Sequence, residues 1–255
     1  MFIWPLYAIG LLLTVQLTDW IGRMTRRITQ LLLGLFLYGF AIAMMLRGAL
    51  GASPWDVLSQ GVVLLSGLNF AIVTNLIGVL VLLLWIPLRQ KPGIGTVVNV
   101  LLIGPSIEVG LWMLPETNSL LAQILLLVGG LGLLAVASGL YIGARFGPGP
   151  RDGLMTGIHR RSGLPIWVVR TSIEVVVLTI GWFLGGTVGV GTLAFALMIG
   201  PMVGFTLPLL RVPEAVGIAD ADGQPQGSAV RKRSERRQGG VGPSGSVVRV
   251  RHGGE

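Results

Sequence analysis

A block of this sequence occurs twice, and this duplication restricts the fold more than any other feature does. The segment GASPWD at 51–56 corresponds to GPGPRD at 147–152, and the correspondence extends without a gap over 51–105 and 147–201. More than a third of the aligned residues are identical, many of them Gly, Pro or Thr, so a shared apolar composition does not explain the match. The chain is therefore an internal duplication, in which each copy is expected to form the same structural unit.

Long apolar runs indicate the environment of this unit. The chain is 52% hydrophobic and only 12% charged, with a mean hydropathy of +0.78, whereas soluble domains carry about 25% charged residues. A helix needs roughly 20 apolar residues to cross a bilayer. Such runs lie at about 28–46, 68–88, 94–114, 120–143, 164–184 and 188–210. The sequence thus predicts an all-α, polytopic membrane protein with six spanning helices in contact with the lipid bilayer.

The duplicated segments open two shorter apolar runs, 54–66 and 150–162. Each has thirteen residues, which is too short to cross a bilayer alone. A cap-compatible residue, then Pro, then Asp at the third helical position is the pattern of a helix start. We therefore expect one short, non-crossing (re-entrant) helix in each copy.

The number of crossings determines how the two copies are related. Each copy contributes three spanning helices, and an odd number of crossings makes the second copy enter the membrane in the opposite orientation. Of the 19 Lys and Arg residues, all except Arg47 and Arg170 then fall on one side, as expected for the cytoplasmic face. The sequence predicts two inverted three-helix repeats with a cytoplasmic C-terminal tail.

The chain divides into four predicted regions. Residues 1–26 form an N-terminal apolar extension, which is either an extra helix or the result of a start site assigned upstream of Met24. Residues 27–116 form the first membrane repeat and residues 117–211 the second. Residues 212–255 are rich in Gly, Ser, Gln, Pro and Arg, a composition that predicts a disordered basic cytoplasmic tail.

The duplicated segments also supply the first candidate site residues, Asp56 and Asp152. A carboxylate at the start of a helix meets free N–H groups at the positive end of the helix, so both residues can be caps and nothing more. The alternative is a substrate or ion site, because half-length helices at matching positions of two repeats are a pointer to a transport site. Arg151 joins this group, and Ser53 is a secondary candidate.

Charged residues inside the spans supply the remaining candidates. Arg170 and Glu174 lie four residues apart on one helix face, so they can pair. Charges within a span indicate a functional site by default, although an ion pair that locks the helix to its neighbours is an equal alternative. Glu108 is a further secondary candidate.

Several classes of function are not indicated. The chain has no Cys and only two His residues, neither of which has a second ligand nearby, so no metal site and no cofactor are expected. A nucleophile with an adjacent base and a phosphate-binding loop are also missing, so an enzyme is not expected. The net charge of +8 lies in loops and the tail, which indicates topology control rather than nucleic acid. The tail is either a solvated run of charge or a segment that binds anionic lipid.

Five short motifs stand out along the spans. They are PWDVL at 54–58, PGIGT at 92–96, GPRDGLM at 149–155, VVRTSIE at 168–174 and GVGT at 189–192. Together they resemble the bacterial YczE-like integral membrane proteins, which are grouped with the YyaS and YitT proteins. The resemblance covers about residues 27–210 and implies a location in the bacterial inner (plasma) membrane, with no particular substrate.

The leading functional prediction is a small secondary-transporter-like permease for an unknown small solute or ion, with a polar site near the midplane between the repeats. The alternative is a membrane-embedded accessory or scaffold protein that assists a partner, acting as a homo-oligomer or with a second membrane protein. The two differ in one structural respect. A transporter gathers the candidate charges around a cavity, whereas a scaffold uses them to cap helices and to pair within a closed interior.

Overall fold

The computed structural model describes residues 4–212, with the side chains of residue 18 and residues 20–212. The predicted basic tail at 212–255 lies outside the described residues except for its first position. The described part contains helices and no strand. The helices are α1 (Trp4–Gly48), α2 (Pro54–Ser66), α3 (Phe70–Leu83), α4 (Trp85–Leu88), α5 (Ile94–Met113), α6 (Leu120–Gly143), α7 (Pro150–Ser162), α8 (Ile166–Phe183) and α9 (Val190–Leu210).

Six stretches of helix in the described residues are long and apolar enough to cross a membrane. They are Trp20–Gly48, Phe70–Leu88, Ile94–Met113, Leu120–Gly143, Ile166–Phe183 and Val190–Leu210. The prediction of an all-α chain with six helices of spanning length is therefore confirmed. By contrast, α2 and α7 have 13 residues each, about 20 Å of helix, which is less than a hydrocarbon core of roughly 30 Å.

The first helix runs without interruption from Trp4 to Gly48. It passes through the boundary predicted between residues 26 and 27, so the N-terminal extension and the first span share one helix. The polar residues at this boundary include Arg23, Arg26 and Arg27. Arg is a good helix former, and charge alone does not end a helix. Whether the extension is a separate region stays a prediction.

Both short helices begin where the sequence predicts. α2 starts at Pro54 and α7 at Pro150, and each ends at a left-handed glycine, Gly67 (φ 68°) or Gly163 (φ 71°). Proline suits the first turn because its missing N–H has no helical partner there. The left-handed glycines close the C-terminal ends at no steric cost to a side chain.

The linker before each short helix contains a glycine whose backbone conformation would be strained in any other residue. Gly51 and Gly147 have φ values of 114° and 117°, a region that L side chains rarely adopt. A Cβ atom on Gly51 would meet Gly189 and Thr192, and a Cβ atom on Gly147 would meet Gly93 and Thr96. Each linker therefore packs against the start of the last helix of the other copy.

Exchange between the copies continues in the helix packing. α2 packs on α8 while its counterpart α7 packs on α3. Within each copy, the first spanning helix packs on the last one, α1 on α5 and α6 on α9. The central contact joins α1 to α6, which are themselves counterparts. The two copies are thus interlocked, and neither forms a separate bundle.

Small residues bring the central helices close together. A Cβ atom on Gly34 of α1 would meet the backbone of Tyr141 on α6, and a Cβ atom on Gly39 would meet Ser106 on α5. Helices in a membrane associate mainly through van der Waals contact and hydrogen bonds, which small residues at the interface permit. The interface of α1 with α5 and α6 is built in this way.

Candidate functional site

A cavity of about 170 Å³ lies among seven of the helices, between the two copies. One water molecule needs roughly 10–15 Å³ of such space, so the cavity can hold several waters or a small solute. Apolar residues such as Ile103 and Phe195 form part of the wall. The polar and charged lining residues are Tyr38, Thr74, Asn75, Asn99, Ser138, Tyr141, Arg151, Asp152 and Arg170.

The first turn of α7 forms one wall of this cavity, and two contacts with Trp85 hold that turn in place. The Trp85 indole Nε1 donates a hydrogen bond of 3.0 Å to the Pro150 carbonyl oxygen. The Trp85 ring also lies against Gly153, where a Cβ atom would clash with it. Because Gly153 has no side chain, α7 can approach Trp85 closely enough to direct Arg151 and Asp152 towards the cavity.

Asp152 has a single polar side-chain partner among the described residues. The Tyr141 hydroxyl donates a 2.7 Å hydrogen bond to Asp152 Oδ2. The Tyr141 ring in turn packs edge-on against Tyr38, with 5.7 Å between the ring centroids. The residue that precedes α7 is Gly149, which has no side-chain cap to offer. The Asp152 carboxylate is therefore held by a tyrosine from α6 and not by its own helix start.

Asp56 is the counterpart of Asp152, yet its surroundings differ. The Asp56 residue is 1% exposed, Ser53 Oγ donates to Asp56 Oδ2, and the Asp56 backbone N–H donates back to Ser53 Oγ. Asp56 Oδ1 is buried without a hydrogen-bond partner.

Arg151 connects the starts of the two short helices. Its Nη2 atom lies 3.9 Å from Asp56 Oδ1, and its guanidinium carbon lies 5.0 Å from the centroid of the Trp55 ring. Cation–π contact with Trp and proximity to a carboxylate both stabilise a guanidinium that has left bulk water. The predicted topology counts Arg151 among the cytoplasmic cations, whereas the structure directs its side chain into the cavity between the repeats.

Arg170 and Glu174 form the predicted ion pair on α8, with 2.9 Å between Arg170 Nε and Glu174 Oε1. Arg170 lines the cavity and its side chain is 45% exposed, while the Glu174 side chain is 19% exposed. The guanidinium thus lies at the edge of the cavity, with the carboxylate behind it.

The structure brings most of the predicted site residues together. Arg151, Asp152 and Arg170 line the cavity. Asp56 and Glu174 do not line it, but Asp56 lies next to Arg151 and Glu174 pairs with Arg170. Of the secondary candidates, Ser53 caps α2 and bonds Asp56. Glu108 is exposed on α5 and does not line the cavity.

Sequence reasoning missed the two tyrosines of the cavity. Tyr38 and Tyr141 are isolated in apolar runs, where an aromatic residue usually indicates packing or an interface anchor. One signal was present, since the whole chain has only three tyrosines and these two fall within predicted spans. The hydroxyl of a buried tyrosine usually has a hydrogen-bond partner, and for the buried Tyr141 that partner is Asp152.

Comparison with known proteins identifies the family. Residues 25–208 match the family described as "Family of unknown function (DUF6198)". An uncharacterised protein of Haemophilus influenzae is 36% identical over 189 residues, which cover 74% of this chain and 87% of that protein. No solved structure matches the chain significantly.

Two Bacillus subtilis proteins agree with the resemblance found in the motifs. The uncharacterised membrane protein YczE is 32% identical over 177 residues, which cover 69% of this chain and 82% of YczE. The uncharacterised protein YyaS is 26% identical over 182 residues, covering 70% of this chain and 90% of YyaS. On the extent of these matches, the chain belongs to the family of unknown function DUF6198 and is a YczE-like multi-pass membrane protein.

Proposed function

We propose that this protein is a small secondary-transporter-like permease, not an enzyme, and that the cavity between the two copies binds the transported solute or ion. The observation that carries the proposal is the group of charged residues on that cavity. Arg151, Asp152 and Arg170 line it, although charges within a membrane are costly and are retained mostly where they serve a pathway or site. The volume of about 170 Å³ limits the solute to a small molecule or ion.

The two copies are proposed to be inverted repeats, each with three crossings and one re-entrant helix. Contacts between helix ends support this arrangement. At the proposed inner side, Arg27 donates to the carbonyl oxygens of Ala144 and Arg145, and Arg161 donates to that of Pro87. Each of these pairs joins ends that three crossings per repeat put on the same side of the membrane.

The outer side has contacts of the same kind. Arg47, at the end of the first span, pairs with Glu116 in the loop between α5 and α6. The Thr187 N–H, in the loop between α8 and α9, donates to Gln60 of α2. With the inner ends in the cytoplasm of a bacterial cell, the tail that follows residue 212 is also cytoplasmic, as the positive-inside rule favours.

Within this topology, α2 and α7 enter from opposite sides and meet at mid-depth. Gly51 lies against Gly189 of an outer loop, and Gly147 lies against Gly93 of an inner loop. In the first turns of α2 and α7, which follow these linkers, Asp56 and Arg151 are 3.9 Å apart. Two half-length helices that begin near the midplane and face one cavity are the arrangement expected of a transport site.

The two equivalent aspartates are proposed to have different roles. Asp56 is enclosed by its own Ser53 cap and by Arg151, so it holds Arg151 in position. Asp152 has no cap of its own and lines the cavity beside Tyr141. Asp152 is therefore the carboxylate available to a solute, together with the guanidinium groups of Arg151 and Arg170.

Access to the cavity from both sides of the membrane tests the proposal without knowledge of the substrate. The native chain has no cysteine, so a single Ser138→Cys variant reports on the cavity wall alone. We expect a membrane-impermeant methanethiosulfonate to label this variant from either face of sealed vesicles, because alternating access exposes the site to each side in turn.

The matched control is Ser106→Cys. Ser106 on α5 is 4% exposed, compared with 6% for Ser138, and both hydroxyls donate to the carbonyl four residues earlier. Ser106 does not line the cavity, so its variant should stay unlabelled. If Ser138→Cys is labelled no faster than this control from either face, or from one face only, transport by alternating access through this cavity is ruled out.

A second function, a membrane-embedded scaffold, is supported by one observation. The most apolar windows of α8 and α9 are only 17% and 11% buried within the chain, so most of their surface is free to contact lipid, a second copy or another membrane protein. An unlabelled Ser138→Cys variant would favour this role.

A further inference from the structure

A cleft at one end of the molecule carries three arginines and no acidic residue. It is formed by the end of α4, the turn that follows it, and the C-terminal half of α7. Arg89, Arg160 and Arg161 line it, and all three are exposed. Among the described residues, none of the three has an ion-pair partner. Three guanidinium groups at one cleft repel one another unless an anion lies among them.

Arg89 is the C-terminal cap of α4, and its backbone is left-handed. Arg89 has a φ of 54°, a conformation that is uncommon for residues other than glycine and costs of order 1 kcal/mol or more. The equivalent residue in the second copy is Gly185, with a φ of 93°. The first copy therefore has a cationic side chain at the lip of the cleft where the second copy has glycine.

The position of the cleft relative to the spans indicates the ligand. The spanning stretch Phe70–Leu88 ends at its rim, which is where lipid head groups begin. Ile86 lines the cleft and is 70% exposed, and Leu83 and Leu84 are each 52% exposed one turn earlier. An anion held here would have its charge against the arginines and an apolar surface directly beside it.

We propose that this cleft binds the phosphate group of an anionic phospholipid. Guanidinium groups bind phosphate oxygens in bidentate fashion, and basic pockets at the membrane surface recognise anionic head groups. Arg161 is already fixed by its 2.7 Å hydrogen bond to the Pro87 carbonyl oxygen, which leaves its remaining N–H groups free to donate. The acyl chains of the lipid lie along Leu83, Leu84 and Ile86.

The proposal is tested with the purified full-length protein in a neutral detergent. Phosphatidylglycerol or phosphatidylcholine is titrated in, and the melting temperature is followed by tryptophan fluorescence. A ligand that binds only the folded state raises the melting temperature. We expect phosphatidylglycerol to raise it by about 3 °C or more beyond the effect of phosphatidylcholine.

Matched variants locate the effect. Arg160→Gln/Arg161→Gln removes two charges from the cleft, and Arg23→Gln/Arg26→Gln removes two exposed charges from α1. In the first variant, phosphatidylglycerol should no longer raise the melting temperature beyond the effect of phosphatidylcholine. In the second variant, the rise in melting temperature should persist. Equal losses in the two variants, or equal increments from the two lipids, would overturn the proposal.

Two further measurements keep the outcome decisive. If Arg160→Gln/Arg161→Gln does not fold, Arg89→Gly replaces it, since the equivalent Gly185 shows that the turn accepts glycine. This variant should fold as well as the native protein and still lose part of the increment. Inorganic phosphate separates the two sources of the anion: if it alone reproduces the whole increment, the cleft takes a free phosphate and the assignment to a lipid is wrong.

Discussion

Arg151 and Trp55 occupy equivalent positions in the two copies, and their side chains contact each other, with 5.0 Å between the guanidinium carbon and the ring centroid. In the proposed inverted-repeat arrangement, equivalent residues of the two copies can touch only near the two-fold axis. Under that proposal, this contact puts the starts of α2 and α7 at the axis. Because one copy has Arg where the other has Trp, the contact is a cation–π pair supplemented by Asp56 at 3.9 Å from Arg151.

The first prediction concerns the coupling between Arg151 and Asp56. Arg151→Gln leaves the buried Asp56 carboxylate without its cation, so we expect the free energy of unfolding to fall by about 2 kcal/mol. Adding Asp56→Asn removes the stranded charge and should recover most of the loss. The measurement is a double-mutant cycle of melting temperatures in detergent. The exposed Arg26→Gln serves as a control for charge alone, and purely additive losses would contradict the coupling.

The second prediction concerns the contact between Gly153 and Trp85. Gly153→Val introduces the residue found at the equivalent Val57, but here the side chain meets the Trp85 ring, so we expect a loss of about 3 kcal/mol from overpacking. The equivalent of Trp85 is Gly181, which lies directly against Val57 and Leu58.

Adding Trp85→Gly to Gly153→Val therefore gives this contact the same two residues as its counterpart. The double variant should give more monodisperse protein in size-exclusion chromatography than Gly153→Val alone. If Trp85→Gly only adds to the damage, the two contacts are not structurally equivalent.

The helices could be predicted from the sequence because their causes are local. Apolar length determines the spans, and Ser or Gly followed by Pro and Asp determines the starts of α2 and α7. The predicted and observed starts agree at Pro54, Pro150 and Ile94. These features depend on a few adjacent residues and need no knowledge of what lies across the fold.

The partners of each helix could not be predicted in the same way. Nothing in the composition of α2 indicates that it packs on α8 of the other copy and not mainly on its neighbour α3. The inward orientation of Arg151 depends on that exchange, because it brings Asp56 and Trp55 within reach. The sequence predicts Arg151 both as a cytoplasmic cation and as a site candidate, and only the three-dimensional contacts show that it meets Asp56 and Trp55.

The third prediction tests the six-crossing topology. Glu116 lies in the loop between α5 and α6, and Gln90 in the turn before α5, so one spanning helix separates them. Single Glu116→Cys and Gln90→Cys variants should therefore react with an impermeant maleimide from opposite faces of sealed vesicles. Reaction from the same face would mean that α5 does not cross the membrane, and the inverted-repeat proposal would fail with it.

The fourth prediction concerns the Arg170–Glu174 pair, which has the Arg on the cavity and the Glu behind it. Single reversals, Arg170→Glu or Glu174→Arg, place like charges four residues apart and should lower the yield of folded protein. The double reversal restores an opposite-charge pair and should restore the yield, but it now presents a carboxylate to the cavity.

The reversed pair should therefore change which reagents enter the cavity. In a Ser138→Cys background, the ratio of labelling rates for a cationic over an anionic methanethiosulfonate should rise by several-fold in the double reversal, because the local potential becomes more negative. A pair that only locks α8 to its neighbours would restore the yield and leave this ratio unchanged. The same ratio measured with Glu108→Gln, a charge change on α5 away from the cavity, gives the background for comparison.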